Sequence, residues 1–188
     1  MKKVLLAASI ASALSLFNVA QAANTGTITF EGKIIDQTCD ASVDGKGASA
    51  TVKLGGAPMS SLNANGKTAG YTPFTISLTN CKAQAANWGV TAYFPDNATN
   101  IDSSKQILKN QATDTPASNV GLELLQNVNG TKTVVPLGKA VTDTNYKFFT
   151  QDKAATSATL TYGVQYKATG VSTAGNVKGL AVYELSYN

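Results

Sequence analysis

Residues 175–188 read Gly-Asn-Val-Lys-Gly-Leu-Ala-Val-Tyr-Glu-Leu-Ser-Tyr-Asn, and residues 28–34 read Ile-Thr-Phe-Glu-Gly-Lys-Ile. In the first stretch Tyr183, Leu185 and Tyr187 recur every second residue, the period of a β-strand with one buried face. In the second, Ile28, Phe30 and Ile34 do the same, with Gly32 in the same row. A strand at the last positions of the sequence has no successor to pair with. Its apolar edge therefore calls for cover, since native proteins blunt such edges with charge, proline or another segment. Only Glu184 interrupts the tail, and it points to the opposite face. The reading that follows is that the front strand of one molecule completes the fold beside the tail of the next.

The residues between these two stretches form a series of short strand candidates punctuated by turn residues. Strands are expected at 26–36, 39–43, 50–54, 72–79, 88–94, 120–127, 133–137, 146–151, 157–168 and 180–187, with turns at 44–47 and at Asn129-Gly130. Residues 59–70 read as a loop with a short helical turn, and 97–116 as a polar connection carrying a weak Ile107-Leu108 patch. No segment offers four helical turns at a period of 3.6. The class expected is all-β, a two-sheet sandwich.

The first 22 residues have the form of a secretion signal. Lys2 and Lys3 precede a mostly apolar run at 4–19, and Ala20-Gln21-Ala22 supplies the small residues at a cleavage site. Cleavage leaves 166 residues, enough for one domain with a sizeable core. Of the 15 basic residues every one is Lys; without Lys2 and Lys3, 13 face 11 acidic residues. A near-neutral surface without Arg argues against a nucleic-acid partner.

Cys39 and Cys81 are the two cysteines of a chain bound for export, so they are expected to form a disulfide. With no His in the sequence, neither a metal cluster nor the usual base of a Ser or Cys nucleophile is available. No pair of acidic residues has a spacing that singles it out for glycoside chemistry. No catalytic residue, cofactor or metal is therefore expected. Trp88, Tyr93 and Phe94 read as a packed strand rather than a sugar platform, and Asn97-Ala98-Thr99 and Asn129-Gly130-Thr131 as turns rather than glycan acceptors.

Five features in order now carry a resemblance: the strand 28–34, Cys39, the run 72–81 ending in Asn80-Cys81, Tyr166-Lys167-Ala168-Thr169-Gly170, and a tail with Gly175 fourteenth from the end and Tyr187 penultimate. Together they resemble chaperone–usher fimbrial subunits of the type 1 fimbrial protein family. The resemblance implies an immunoglobulin-like sandwich that lacks its last strand. It implies a signal peptide at 1–22, a donor-strand extension at 23–35 and a pilin domain at 36–188. Ile28, Phe30, Gly32 and Ile34 would be the donor residues, and Gly175, Tyr183, Leu185 and Tyr187 would belong to the acceptor groove, which also binds the chaperone.

The partners so implied are other copies of the chain, other fimbrial subunits, a periplasmic chaperone and an outer-membrane usher, and the location is a fimbrium on the bacterial surface. Two alternatives stand beside the polymerising rod subunit: a minor, adaptor or glycan-binding subunit of the same fibre, and a self-complete sandwich that never polymerises.

Overall fold

The computed structural model describes residues 38–141 and 146–188, and the strand expected at 26–36 lies outside them. The described chain is all-β apart from a single 3-10 turn at Met59–Leu62. In chain order the strands are β1 (Asp40–Val43), β2 (Thr68–Thr79), β3 (Trp88–Tyr93), β4 (Ile101–Asp102), β5 (Ile107–Lys109), β6 (Val120–Val128), β7 (Thr131–Val134), β8 (Phe149–Gln151), β9 (Ala158–Ala168) and β10 (Glu184–Tyr187).

They form two sheets. The larger has the order β1-β2-β9-β6-β5-β4, with β7 also paired to β6, and the smaller is β10-β3-β8. Every strand pair is antiparallel. β6 is shared along its length: Gly121 and Leu122 pair with β5, while Leu125 to Val128 pair with β7 across the Asn129-Gly130 turn. Both turn residues have positive φ, +52° and +81°, the conformation that a two-residue hairpin turn demands.

The core lies between the sheets. Ile76, Leu78, Leu122, Leu124, Leu160 and Val164 of the larger sheet meet Trp88, Val90, Ala92 and Phe149 of the smaller, all buried. Tyr162 spans the layers. Its ring packs among Phe74, Phe94 and Phe149, and its hydroxyl accepts a 2.8 Å hydrogen bond from the Ala92 amide. Trp88 and Phe94 are buried, as a packed strand requires, and Tyr93 is half-buried.

Three sequence expectations are corrected. Residues 50–54 alternate as a strand does but pair with nothing in either sheet. Alternation reports that one face is buried, and Val52 and Leu54 do pack on the core, yet among the described residues 50–54 has no strand partner. The connection at 97–116 contains β4 and β5, whose two and three residues are too short to show a period. The tail pairs only over 184–187, since Leu180 and Val182 face outward at 46% and 62% exposure.

Cys39 and Cys81 are bonded, joining the start of β1 to the residues just past β2 with their Cα atoms 4.2 Å apart. The bridge closes a loop with a sequence separation of 42. On the chain-entropy estimate such a loop is worth roughly 4 kcal/mol. The double variant Cys39→Ser, Cys81→Ser is expected to lose about 3–4 kcal/mol of unfolding free energy. Urea titration against the oxidised parent checks it; equal midpoints would contradict it.

Candidate functional site

Among the described residues β10 is the edge of the smaller sheet, bonded to β3 on one side. Tyr187 pairs in register with Val90 and Leu185 with Ala92. Facing the open edge is the extended segment 48–57. Among the described residues, the hydrogen bonds to its backbone come from two tyrosines: the Tyr183 hydroxyl donates to the Ala48 carbonyl at 3.0 Å, and the Tyr166 hydroxyl to Gly55 at 3.1 Å. Among the described residues, neither backbone wall has a ladder partner on the side facing the other.

Apolar side chains line this groove. Val52 and Leu54 from one wall and Val177, Tyr183, Leu185 and Tyr187 from the other are half-buried against the core. Trp88 meets the Tyr187 ring at a centroid distance of 6.0 Å. At one end the groove widens into a cavity of about 420 Å³ lined by Leu54, Ala57, Leu62, Val120, Tyr166 and Val177 among others.

The cavity end is held rigidly. The Asn110 side-chain amide donates to the carbonyls of Ala117 and Asn176, both at 2.9 Å, and its oxygen accepts from the amides of Ala112 and Lys178 at 3.0 Å. Asn176 and Pro116 form a parallel bridge. Gly175 lies against this bridge with φ +150°, and a Cβ there would sit 2.6 Å from the Thr115 carbonyl oxygen and against the Ala117 amide. Gly179 lies so close to Leu122 that a Cβ would be 2.8 Å from its methyl. At the other end the Asn188 amide donates to Gly89 at 3.1 Å.

Of the residues singled out by sequence, Gly175, Tyr183, Leu185 and Tyr187 all fall along this one wall. Ile28, Phe30, Gly32 and Ile34 lie outside the described residues. Asn110, Gly179 and the opposite wall at 48–57 were not anticipated as parts of the site. Asn110 sits in a stretch whose only sequence signal is polarity.

The geometry offers hydrogen bonding and apolar burial. No group of three metal-ligating side chains occurs among the described residues. Burial raises the phenols of Tyr183 and Tyr187 above their ordinary value of about 10. In the core, burial raises Tyr162 despite its hydrogen bonds with Thr91 and Ala92. A raised tyrosine pKa means that the fold holds the proton more tightly than the unfolded chain does. That stability is complete below the unfolded value and is lost as pH rises through the folded values. Unfolding free energy is therefore expected to be lower at about pH 11 than at about pH 8, the unfolded phenol titrating near 10. Denaturant titration at the two pH values measures it, and an equal or higher stability at the alkaline value would contradict it.

Comparison with known proteins completes this picture. Residues 28–188 match the family model described as "Fimbrial protein". The chain belongs to this fimbrial family. Across its whole length it is 39% identical to the F17 fimbrial protein of Escherichia coli, of which it covers 99%. Over 87% of its length it is 37% identical to the major fimbrial subunit SMF-1 of Stenotrophomonas maltophilia, of which it covers 92%.

Among solved structures it shares its fold with the P pilus rod subunit PapA, at a TM-score of 0.50 and 18% identity over 79% of this chain and 99% of that one. It also shares it with a subunit of a chaperone–usher pilus, at 0.51 and 19% over 88% and 97%. This fimbrial subunit is thus an all-β, immunoglobulin-like pilin, a structural and non-enzymatic component of a pilus, assembling with other fimbrial subunits into a surface fimbrium.

Proposed function

We propose that the subunit polymerises by donor-strand exchange, residues 28–34 of one copy completing the sandwich of the next. The observation that carries this reading is that, among the described residues, neither the outer edge of β10 nor segment 48–57 has a strand partner beside the apolar row between them. One added strand bonds to both walls, and Ile28, Phe30 and Ile34 cover the half-buried row between them. Each side chain contributes roughly 1.5–3 kcal/mol, and each new backbone hydrogen bond on the order of 1 kcal/mol. The joint is long-lived without a covalent bond.

The direction follows from where the ends lie. Cys39 sits at the Thr79 end of β2, whereas the cavity opens at the Thr68 end, about 40 Å away along the strand. The extension leaves a subunit at the disulfide end. If it entered its neighbour at that neighbour's disulfide end, it would compete for space with the neighbour's own extension. Entry with Ile34 at the cavity end avoids this and runs antiparallel to β10. Ile34 then fills the cavity, and Gly32 passes the narrower stretch beside it. Such a head-to-tail joint does not close on itself, so it builds a filament.

In this reading residues 1–22 direct export and are removed, 23–35 form the donor extension and 36–188 the pilin body. A periplasmic chaperone lends a strand to the groove until an outer-membrane usher exchanges it for the next subunit, and the finished fibre supports adhesion. The similarity to a major fimbrial subunit over 87% of the chain favours the repeated rod position. Gly32→Leu is expected to stop fibre growth, because a leucine side chain overfills the narrow part of the groove. Fibres assembling at the parental rate, scored by electron microscopy of sheared cell-surface material, would contradict it.

A further inference from the structure

The cavity end carries a feature that strand exchange alone does not use. Met59 is 52% exposed and Val171 68% exposed, two of the largest apolar exposures among the described residues. They lie on neighbouring segments. The Ser172 amide donates to the Leu62 carbonyl at 3.1 Å, joining the 171–174 loop to the 3-10 turn that carries Met59. Beneath both is a separate small core of Leu62, Ala117, Val120 and Ala168. Met59 and residues 172–174 together form part of the cavity rim.

We infer that this rim docks the body of the adjoining subunit, specifically the end that bears its Cys39–Cys81 disulfide. The inference rests on the donor-strand reading and goes beyond it, from the joint itself to the bodies it connects. Once Ile34 occupies the cavity, only five residue steps separate it from Cys39, which the disulfide fixes to its own body. Fully extended, five residues span at most about 18 Å. The donor's disulfide end is therefore tethered within that distance of the cavity, whose rim carries Met59 and continues into the loop after Val171. Exposed apolar side chains concentrated beside a tethered partner are what a contact between bodies requires. The second copy is thus held by its body as well as by its strand, which limits how far successive subunits bend.

Met59 supplies its own probe, because peroxide oxidises an exposed methionine faster than a covered one. The reference is a monomer in which residues 23–35 are moved to follow Asn188 through a short flexible linker, so that the groove is filled from within and no neighbour is present. Met59 in assembled fibres is expected to oxidise about tenfold more slowly than in that monomer, read by mass spectrometry of the Met59 peptide. Equal rates in fibre and monomer would overturn the inference while leaving strand exchange standing, since the groove is filled in both.

If the rearranged chain fails to stay monomeric and folded, a second measurement decides. Met59→Lys with Val171→Lys, on exposed positions, is expected to give fibres whose angles between successive bodies spread more widely in electron micrographs. An unchanged angular spread would overturn the inference. Failure of strand exchange itself has a separate signature, namely fibres that assemble without residues 28–34 in the groove.

Discussion

Subunits lacking residues 23–35 are expected to fold, accept a strand and add nothing further. The body is expected to keep its disulfide, both sheets and the groove, because the bridge, the strand pairings and the core described above join residues outside 23–35. What it loses is the set Ile28, Phe30 and Ile34, whose burial in a neighbour is worth roughly 1.5–3 kcal/mol per side chain. A truncated copy has a groove but no strand to offer. It can occupy the one position in a fibre that does not donate, and no other. Co-purification with the chaperone together with loss of fibres from the cell surface is the expected pair of observations. Fibres built from the truncated subunit alone would refute strand donation by this segment.

Gly175→Val is expected to disable the opposite partner, the acceptor. At φ +150° a β-branched residue is strained whatever the space around it, and here its Cβ would press on the backbone of Thr115, Pro116 and Ala117. Relief requires the tail to lift from the 110–117 loop, breaking the 2.8 Å bond from the Asn176 amide to Thr115 and the 3.0 Å bond from Ala117 to Asn176. A strained backbone and two lost hydrogen bonds together cost about 3–5 kcal/mol. The cavity end of the groove loses its wall at Val177, so neither a chaperone strand nor a donor strand seats there. Gly55→Ala is the control, since a Cβ at Gly55 meets nothing within 4 Å. Stability and chaperone co-purification should fall sharply for Gly175→Val and hold for Gly55→Ala. Parental behaviour of both would contradict the role given to Gly175.

The long strands were legible because their alternation spans many residues: β2, β3, β6 and β9 fall close to where period and turn residues place them. β2 begins four residues earlier than its apolar pattern, across an irregularity between Ala69 and Thr72 where small and polar residues hide the strand. Pro73 is tolerated inside it because β1 covers β2 only from Ile76 onward, leaving one side of Pro73 without a partner. The tail's apolar row, Tyr183, Leu185 and Tyr187, is legible as a half-buried strand face and packs on the core. The alternation at 50–54 reads as an ordinary strand, since a sequence shows which face is buried and not what the backbone pairs with. Asn110 was invisible for a different reason. Its four hydrogen bonds join segments more than sixty residues apart in part, and no local pattern encodes them.

Electron cryo-microscopy of the assembled fibre, at a resolution that traces side chains, tests the joint most directly. Strand exchange requires density for residues 28–34 of one copy lying between β10 and segment 48–57 of the next, antiparallel to β10, with Ile34 in the cavity beside Leu54 and Val177. A groove filled by residues 28–34 of the same copy, or left empty in the fibre, would contradict it.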